Sequence, residues 1–254
     1  IDVEVDGRQA NLLMRGPDSA PERSADTWSL RAFRELEDAL LRLRVNHLEI
    51  GLLVVRTEGD SDAVLEHESF IASGADADWF LREVQVFQAR TLRKFDNMAK
   101  SLFCLIEEGH CFSGILFELS LAADRSYMFL DDDGENSVQL SAANQGAYPM
   151  ANGTTRLETR YPGEPDAPAK VMEEAEDGPI DAETADELGL VTASLDDIDY
   201  EDEVRIAVEE RLSLSPDALT GMEQNLRFGG VESCETRIYG RLSAWQNWIF
   251  QRPN

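Results

Sequence analysis

The chain has 254 residues, 43% of them hydrophobic, and a formal net charge of −27 at pH 7. This composition is typical of a globular protein with one large core or two modest ones. The acidic excess argues against a nucleic-acid surface and a membrane-surface role, because both kinds of partner attract Lys and Arg. No apolar run approaches the roughly 20 residues that cross a bilayer, and the N-terminus has no signal pattern, so we expect a cytoplasmic location.

The charged residues and the possible metal ligands, Cys and His, further limit the kinds of protein that this chain can be. The chain has 50 Asp and Glu against 23 Lys and Arg, which predicts either adaptation to high salt or acidity that keeps the protein soluble. Its three cysteines, Cys104, Cys111 and Cys234, have no metal-ligand spacing, and its three histidines are scattered. We therefore expect reduced thiols and no metal.

The first part of the chain predicts two strands, a helix and a third strand. Residues 1–6 alternate apolar and acidic side chains, which indicates a half-buried strand, and residues 10–14 can form its partner. Apolar residues then recur every three or four positions from Ser29 to about Asn46, which predicts an amphipathic helix. The continuous apolar run of residues 48–55 indicates a strand buried on both faces.

Residues 56–100 connect these elements to the most informative stretch. We predict an irregular segment over residues 56–78. Residues 79–100 have the period of an amphipathic helix, whose apolar side packs in the core and requires no cofactor.

The stretch 101–130 combines a strand, a glycine turn, the start of a buried helix and a second strand. Its first part is an apolar run of strand length, which ends where the chain turns at Gly109. Gly114 then opens an apolar segment that surrounds a single carboxylate, Glu118. This order of elements aims backbone N–H groups at a developing negative charge.

The remainder of the chain is mainly helical. The acidic residues 131–136 predict a solvated hairpin turn, since they lack the alternating ligands of a calcium loop. Helices are predicted from Thr154, over residues 181–188 and in three segments after Tyr200. The last segment, residues 232–250, is rich in aromatic residues, so it either caps its own core or packs against a neighbouring domain or subunit.

Several of these segments resemble the crotonase (enoyl-CoA hydratase) superfamily. Residues 114–125, GILFELSLAADR, are similar to its signature, in which a glycine run opens a helix that carries Glu-Leu-Ala and ends in an acid. Residues 140–157 and 179–191 are similar to two further segments of that superfamily. The resemblance implies an α/β fold, a crotonase-like ββα spiral over residues 1–195, with a C-terminal helical packing and oligomerisation region over residues 196–254.

The later part of the chain narrows the resemblance. Residues 148–150, 214–223 and 240–254 are similar to the C-terminal half of the benzoyl-CoA-dihydrodiol lyase family. This implies that the chain is the second, degenerate crotonase-like copy of a longer polypeptide, which agrees with a first residue other than methionine. The upstream half would carry the intact glycine run and both catalytic glutamates.

The resemblance also implies a reaction. The complete enzyme converts 2,3-epoxy-2,3-dihydrobenzoyl-CoA and water to 3,4-dehydroadipyl-CoA semialdehyde and formate, a ring cleavage of aerobic benzoate degradation. It uses neither a metal nor a redox cofactor, and CoA belongs to the substrate. The implied partners are the upstream half, an aromatic acyl-CoA substrate and further copies of the chain in a homo-oligomer.

Site residues follow from the resemblance as well. Crotonase-like enzymes stabilise an enolate with two backbone N–H groups. The signature places one of them at Ile115, directly after Gly114, and a catalytic carboxylate at Glu118. The other donor would come from the loop after the third strand, where Ser73 in Ser-Gly-Ala-Asp is the first candidate and residues 58–63 are the second.

Two departures from the superfamily pattern argue against a catalytic role for these residues. The chain has one glycine where the superfamily commonly has three, so Cβ atoms crowd the space a thioester needs. Ser141 and Ala142 occupy the positions of the Pro-Glu that supplies the second glutamate, and an acid–base pair needs two groups. We therefore predict that Glu118 is a structural carboxylate paired with Arg125 or Arg156.

These observations favour a supporting half of a ring-cleaving acyl-CoA lyase. Two alternatives remain open. The chain could be a stand-alone crotonase-class hydratase or isomerase that uses Glu118 alone, or a non-catalytic assembly module with no thioester pocket.

Overall fold

The computed structural model describes residues 1–131, 134–227 and 232–251, without the side chain of Trp248. Two residues of the predicted acidic turn, 132 and 133, lie outside the described residues. So do the last three residues of the C-terminal segment that resembles the lyase family, 252–254.

A six-stranded sheet forms the centre of the molecule, with a two-stranded sheet beside it. The strand order of the large sheet is β1-β2-β3-β4-β5-β8; β1 and β2 are antiparallel, and all other neighbours are parallel. The small sheet pairs β6 with β7. The strands are β1 (Asp2–Asp6), β2 (Gln9–Arg15), β3 (Leu52–Glu58), β4 (Ser101–Ile106), β5 (Arg125–Phe129), β6 (Ser137–Val138), β7 (Ile180–Asp181) and β8 (Ala193–Leu195).

The helices follow the predicted alternation with the strands. They are α1 (Trp28–Asn46), α2 (Ser61–Gly74), α3 (Trp79–Asp96), α4 (Gly114–Ala122), α5 (Arg156–Arg160), α6 (Ala167–Glu176), α7 (Ala182–Glu187), α8 (Tyr200–Ser213), α9 (Pro216–Leu226), α10 (Cys234–Thr236) and α11 (Ser243–Ile249). A 3₁₀ turn spans Ala142–Gln145, and a π-helical segment, Arg237–Leu242, joins α10 to α11. The order β1-β2-α1-β3 confirms the predicted ββα arrangement.

Two predicted strands differ from the observed ones. The alternation in β1 predicted a half-buried strand, but all five of its residues are exposed, including Val3 and Val5 at about 40%. The reason is that β1 lies at the edge of the sheet. The third strand begins at Leu52 rather than at Leu48, which is 61% exposed. Pairing sets this start, since Leu52 aligns with the first residues of both β2 and β4.

The predicted irregular segment 56–78 is instead largely helical. Asp60 caps α2, because its side chain accepts hydrogen bonds from the backbone N–H groups of Asp62 and Ala63. The predicted hairpin at residues 131–136 is also wrong: β5 continues the large sheet, whereas β6 pairs with β7. The helix predicted over residues 79–100 ends at Asp96.

Helix α4 lies at the centre of the core. All nine of its residues are buried, as are all six residues of the adjacent strand β4. Helices α1 and α3 cover the same side of the sheet, where most of the buried apolar side chains form one cluster. A polar group on α4 therefore lies away from solvent, which raises the free-energy cost of leaving it unpaired.

The C-terminal helices lie partly on the other side of the sheet. Helix α8 packs Tyr200 and Ala207 against a second apolar cluster on β3, β4 and β5. Beyond it, Gly221 of α9 allows close packing of Trp245, since a Cβ there would lie 2.2 Å from the indole nitrogen. Among the residues described after β8, which ends at Leu195, the regular elements are all helical; the division of the chain at residues 195 and 196 stays a prediction.

Within the described ranges, no helix is both long and apolar enough to cross a bilayer. The same residues contain no group of three or more His, Cys, Asp or Glu that could hold a metal ion. The three cysteines are free thiols; Cys104 and Cys111 are buried, and Cys234 is exposed.

Candidate functional site

The amino end of α4 is the place where the superfamily signature predicts backbone donors. Gly114 has a φ of +46°, a conformation that favours glycine, and its N–H donates to the carbonyl of Gln139 at 2.9 Å. The hydroxyl of Ser113, directly before it, donates to the carbonyl of Ser61 at 3.1 Å. These bonds fix the helix start against both the β6 segment and the start of α2.

A carboxylate of the chain itself lies at this helix end. A Cβ on Gly114 would be 2.5 Å from Oε2 of Glu68, which is only 6% exposed. The other oxygen, Oε1, accepts a hydrogen bond from the Ser141 hydroxyl at 2.5 Å. The Glu68 carboxylate also faces the backbone N–H of Ile115. The predicted oxyanion donor therefore lies near a carboxyl group of the chain itself, although Oε2 of Glu68 accepts no hydrogen bond from a described residue.

Burial raises the pKa of Glu68 above its usual value of 4.5, and the negative charge of Glu118 contributes in the same direction. The hydrogen bond from Ser141 and the backbone N–H of Ile115 lower the pKa but do not offset burial. Oε2 has no geometrically acceptable donor among the described residues. The carboxylate is thus held near the donors without being fully satisfied by them.

Glu118 lies on α4 within a fully paired network. Oε1 accepts a hydrogen bond from the Asn144 side chain at 2.7 Å, and Oε2 pairs with Arg156 at 2.6 Å. The same Arg156 binds Asp96 through two hydrogen bonds, at 2.9 and 2.7 Å. The predicted pairing of Glu118 with an arginine is confirmed for Arg156, while Arg125 contacts the Tyr127 hydroxyl instead.

Burial raises the pKa of Glu118, and the charge of Arg156 and the hydrogen bond from Asn144 act against that increase. Glu118 is only 2% exposed, so its carboxylate has no open approach for a substrate in this conformation. Asn144 also donates to the carbonyl of Gly114 at 3.0 Å, which connects the network to the helix start. The geometry is that of a buried ionic network.

The structure places the two candidates for the other oxyanion donor differently. Ser73 is exposed in the last turn of α2, and its hydroxyl donates to the Phe70 carbonyl at 3.3 Å. The competing segment, residues 58–63, lies beside the start of α4 through the bond between Ser61 and Ser113. Only the second segment is thus brought next to Gly114; a role for either in catalysis stays a prediction.

Sequence reasoning missed Glu68, the carboxylate nearest to the predicted donors. A signal was present, because Val64, Glu68 and Ile71 recur at helical spacing after the cap residue Asp60 and are all buried. Treating this segment as irregular concealed that Glu68 shares the buried face of a helix. The structure also shows what Ser141 does directly before Ala142, which occupies the position of the second glutamate: the Ser141 hydroxyl donates to Glu68.

A cavity of about 590 Å³ opens near the carboxyl ends of β4 and β5, where parallel sheets often bind ligands. Its charged side chains are acidic, and His110 beside them has its pKa lowered by burial to about 4, so the imidazole is neutral at pH 7. This negative surface repels the phosphates of a CoA group. The acidic residues lining it are Glu108, Asp131, Glu135 and Asp197.

Comparison with known protein families and sequences adds to this geometry. No family model matches the chain. A benzoyl-CoA-dihydrodiol lyase from Aromatoleum evansii is 48% identical over 260 aligned residues, which cover 99% of this chain and 46% of that protein. The chain therefore spans about half the length of the curated relative that it matches.

Solved structures share the fold at much lower identity. An enoyl-CoA hydratase from Geobacillus kaustophilus superposes with a TM-score of 0.69 and 17% identity, over 98% of this chain and 88% of that one. An enoyl-CoA hydratase from Bacillus anthracis gives a TM-score of 0.68 and 18% identity, over 99% and 91% of the two chains. The predicted crotonase-like fold is confirmed. By sequence the chain is a homologue of about half of a benzoyl-CoA-dihydrodiol lyase, and its fold is the crotonase fold.

Proposed function

We propose that the chain is the C-terminal, supporting crotonase-like half of a ring-cleaving acyl-CoA lyase. The complete enzyme would convert 2,3-epoxy-2,3-dihydrobenzoyl-CoA and water to 3,4-dehydroadipyl-CoA semialdehyde and formate. The upstream half of the polypeptide would supply the catalytic groups, and this half would pack against it. The identity of 48% to part of such a lyase supports the substrate class.

The observation that carries the supporting role is the position of Glu68. An oxyanion site stabilises negative charge that develops on the substrate, so its donors must be free when the substrate arrives. In this chain, the carboxylate of Glu68 faces the N–H of Ile115 and leaves no room for a Cβ at Gly114. A thioester oxygen would have to displace a buried side chain to reach the same donors.

The state of Glu118 supports the same conclusion. A general acid or base must reach the proton that it transfers, within about 3 Å or through one water. Both oxygens of Glu118 are occupied by Asn144 and Arg156. Ala142, at the position of the second glutamate, has no group that could transfer a proton. Glu118 therefore contributes to the stability of the fold in this proposal.

The acidic cavity and the C-terminal helices fit a supporting role as well. The cavity repels CoA phosphates, so the aromatic acyl-CoA substrate would bind in the other half. The C-terminal helices expose apolar side chains that suit packing against that half or against another copy in a homo-oligomer. The exposed residues are Ile238, Tyr239, Leu242 and Phe250.

The proposal is tested by measuring formate release from 2,3-epoxy-2,3-dihydrobenzoyl-CoA. The complete polypeptide and this chain alone are assayed side by side, with folding of each checked by circular dichroism. We expect turnover by the complete polypeptide only. Formate release by the isolated chain would overturn the supporting role.

A substitution in the complete polypeptide provides the second arm. Glu118→Gln keeps the size of the side chain, so kcat per folded molecule should stay within about twofold of the parent enzyme, whereas removing a catalytic acid or base costs about 100-fold or more. A large loss of kcat with an unchanged melting temperature would mean that Glu118 takes part in the chemistry.

The alternatives predict different results with other substrates. A stand-alone hydratase or isomerase would turn over an enoyl-CoA such as crotonyl-CoA, and Glu118→Gln would abolish that activity. If the chain is a pure assembly module, weakening its interface, for example by Tyr239→Ala, would dissociate the assembly. The affinity of the complete polypeptide for its CoA substrate would stay unchanged. The structure offers no observation that favours either alternative over the supporting half.

A further inference from the structure

Three arginines line one cavity at the carboxyl end of α4. This cavity has a volume of about 310 Å³ and lies between α4, α5, the turn after α7 and the end of α9. Such a volume is at the lower end of the range for small-molecule sites. The arginines are Arg156, Arg160 and Arg227, and the apolar part of the wall includes Leu121, Met150 and Leu226.

Two of the three guanidinium groups are neutralised within the chain. Arg156 pairs with Asp96 and Glu118, as described above. Arg227 pairs with Asp124 at 3.0 Å and, through Nε, with Glu223 at 3.0 Å. The carboxylate of Asp124 also lines the cavity, but it is bound by Arg227 and by a backbone N–H. Neither arginine therefore offers a free positive charge.

Arg160 differs from both. Its Nε donates to the carbonyl of Gly189 at 2.6 Å, and no described residue forms an ion pair with it. The neighbouring Tyr161 donates to the carbonyl of Leu188 at 2.7 Å, so two bonds hold α5 against the same turn. The guanidinium is thus fixed in orientation, and its two Nη groups have no partner within the described part of the chain.

A partly buried cation without a counter-charge is costly. Burial lowers the pKa of Arg160, and none of the groups that act against this effect is a carboxylate. The absence of a partner is notable because the chain contains 50 acidic residues, and the two other arginines of the cavity have two carboxylates each. An anion from outside the described residues would remove this cost.

We propose that this cavity binds a small organic carboxylate with an apolar body. The Nη groups of Arg160 form a planar fork, which matches the two oxygens of a carboxylate. The apolar body would lie against Leu121, Met150 and Leu226. A phosphate would need several free donors, and the second guanidinium that could serve it, that of Arg227, is already paired.

The first test is calorimetric titration of the chain with benzoate as the probe. Benzamide, which has the same ring without the charge, and inorganic phosphate are titrated in parallel at constant ionic strength. We expect saturable binding of benzoate only. Arg160→Gln should weaken it about tenfold or more, because a charge-assisted hydrogen bond is lost. Arg205→Gln, an exposed arginine on α8 that pairs with Asp202 and Glu209, is the matched control and should bind as the parent does.

A second pair of variants tests the site without touching Arg160. Leu226 is 73% exposed at the cavity rim, so it can be replaced with little effect on folding. Leu226→Glu should weaken benzoate binding, because it brings a negative charge to the rim, and the isosteric Leu226→Gln should weaken it less. This pair decides the question even if Arg160→Gln does not fold.

Four outcomes would overturn the proposal. They are the absence of saturable benzoate binding to the parent chain, equal binding of benzamide, tighter binding of phosphate, and equal affinities of Leu226→Glu and Leu226→Gln. Sedimentation adds a further one: if the parent chain is a dimer that Arg160→Gln dissociates, the missing carboxylate belongs to a second copy and the cavity is not a ligand site.

Discussion

The two ends of α4 present opposite electrostatic situations. At the amino end, the backbone donor of Ile115 faces the carboxylate of Glu68, which the chain itself supplies. At the carboxyl end, the guanidinium of Arg160 lines a cavity, and no described carboxylate pairs with it. At the amino end a carboxylate fills the space in front of the donors, whereas at the carboxyl end a cavity lies in front of a guanidinium that no described carboxylate pairs with.

This difference shows that the backbone fold and the side chains contribute separately to the candidate site: the fold places the N–H groups, and the side chains set the charge beside them. The start of any helix presents backbone N–H groups whatever its side chains, and here the helix is the buried α4. A single side chain on α2, that of Glu68, then occupies the space in front of Gly114. Four predictions test how much the stability of the chain depends on the residues around the two ends of α4.

Arg156→Met should have the largest effect on stability, a loss of about 3–5 kcal/mol in the free energy of unfolding, because Asp96 and Glu118 would remain buried without a counter-charge. Urea denaturation measures this change. Arg205→Met removes an exposed arginine that also has two acidic partners, and it should cause no measurable loss. A loss below about 1 kcal/mol for Arg156→Met would contradict the description of a tightly coupled network.

Gly114→Ala should cost about 2–3 kcal/mol, since it combines a positive φ with a Cβ that meets the Glu68 carboxylate. The same substitution in a Glu68→Ala background keeps the conformational cost but removes the contact. It should therefore cost about 1 kcal/mol less there. Equal costs in the two backgrounds would mean that Glu68 does not occupy the space in front of Gly114.

Ser113→Ala should cost about 1 kcal/mol, because it removes the buried hydrogen bond to the Ser61 carbonyl that fixes the helix start. Ser73→Ala changes an exposed residue and should leave the urea midpoint unchanged within error. Equal effects of the two substitutions would contradict the description of the bond between Ser113 and Ser61 as the contact that holds residues 58–63 beside the start of α4.

Glu68→Gln should have the smallest effect, and its sign depends on pH. Because the pKa of Glu68 is raised above 4.5 in the folded state, the folded chain holds the proton more tightly, and the carboxyl group lowers stability as pH rises above 4.5. Glutamine does not titrate. The variant should thus become more stable relative to the parent between pH 4.5 and pH 8, which unfolding curves across this range measure. A constant difference would refute the raised pKa.

The sequence predicted much of the fold but less of the candidate site. Periodicity predicted α1 and α3, and the signature around Gly114 and Glu118 predicted the buried helix, because both depend on local spacing. Helix α2 was missed, since its mixed composition hides the buried face that contains Glu68. Its burial depends on packing against α4, which is far away in the sequence.

The pairing of Glu118 could be narrowed to two arginines but not decided. Arg125 begins β5, where its side chain reaches the Tyr127 hydroxyl, whereas Arg156 is the first residue of α5 and extends into the core. Which one reaches Glu118 depends on where α5 docks. The orientation of Arg160, which pairs with no described carboxylate, likewise depends on the turn at Gly189, a contact 29 residues away.

The distribution of the cysteines gives the chain its own reporter of unfolding. Burial raises the pKa of Cys111 to about 11, and that of Cys104 rises as well, so neither thiol forms a reactive thiolate in the folded chain. Cys234 is exposed and open to alkylation. Brief labelling at mild pH should therefore modify one thiol in each folded molecule and three in each unfolded one, and the mass of the labelled protein gives the folded fraction without any added probe.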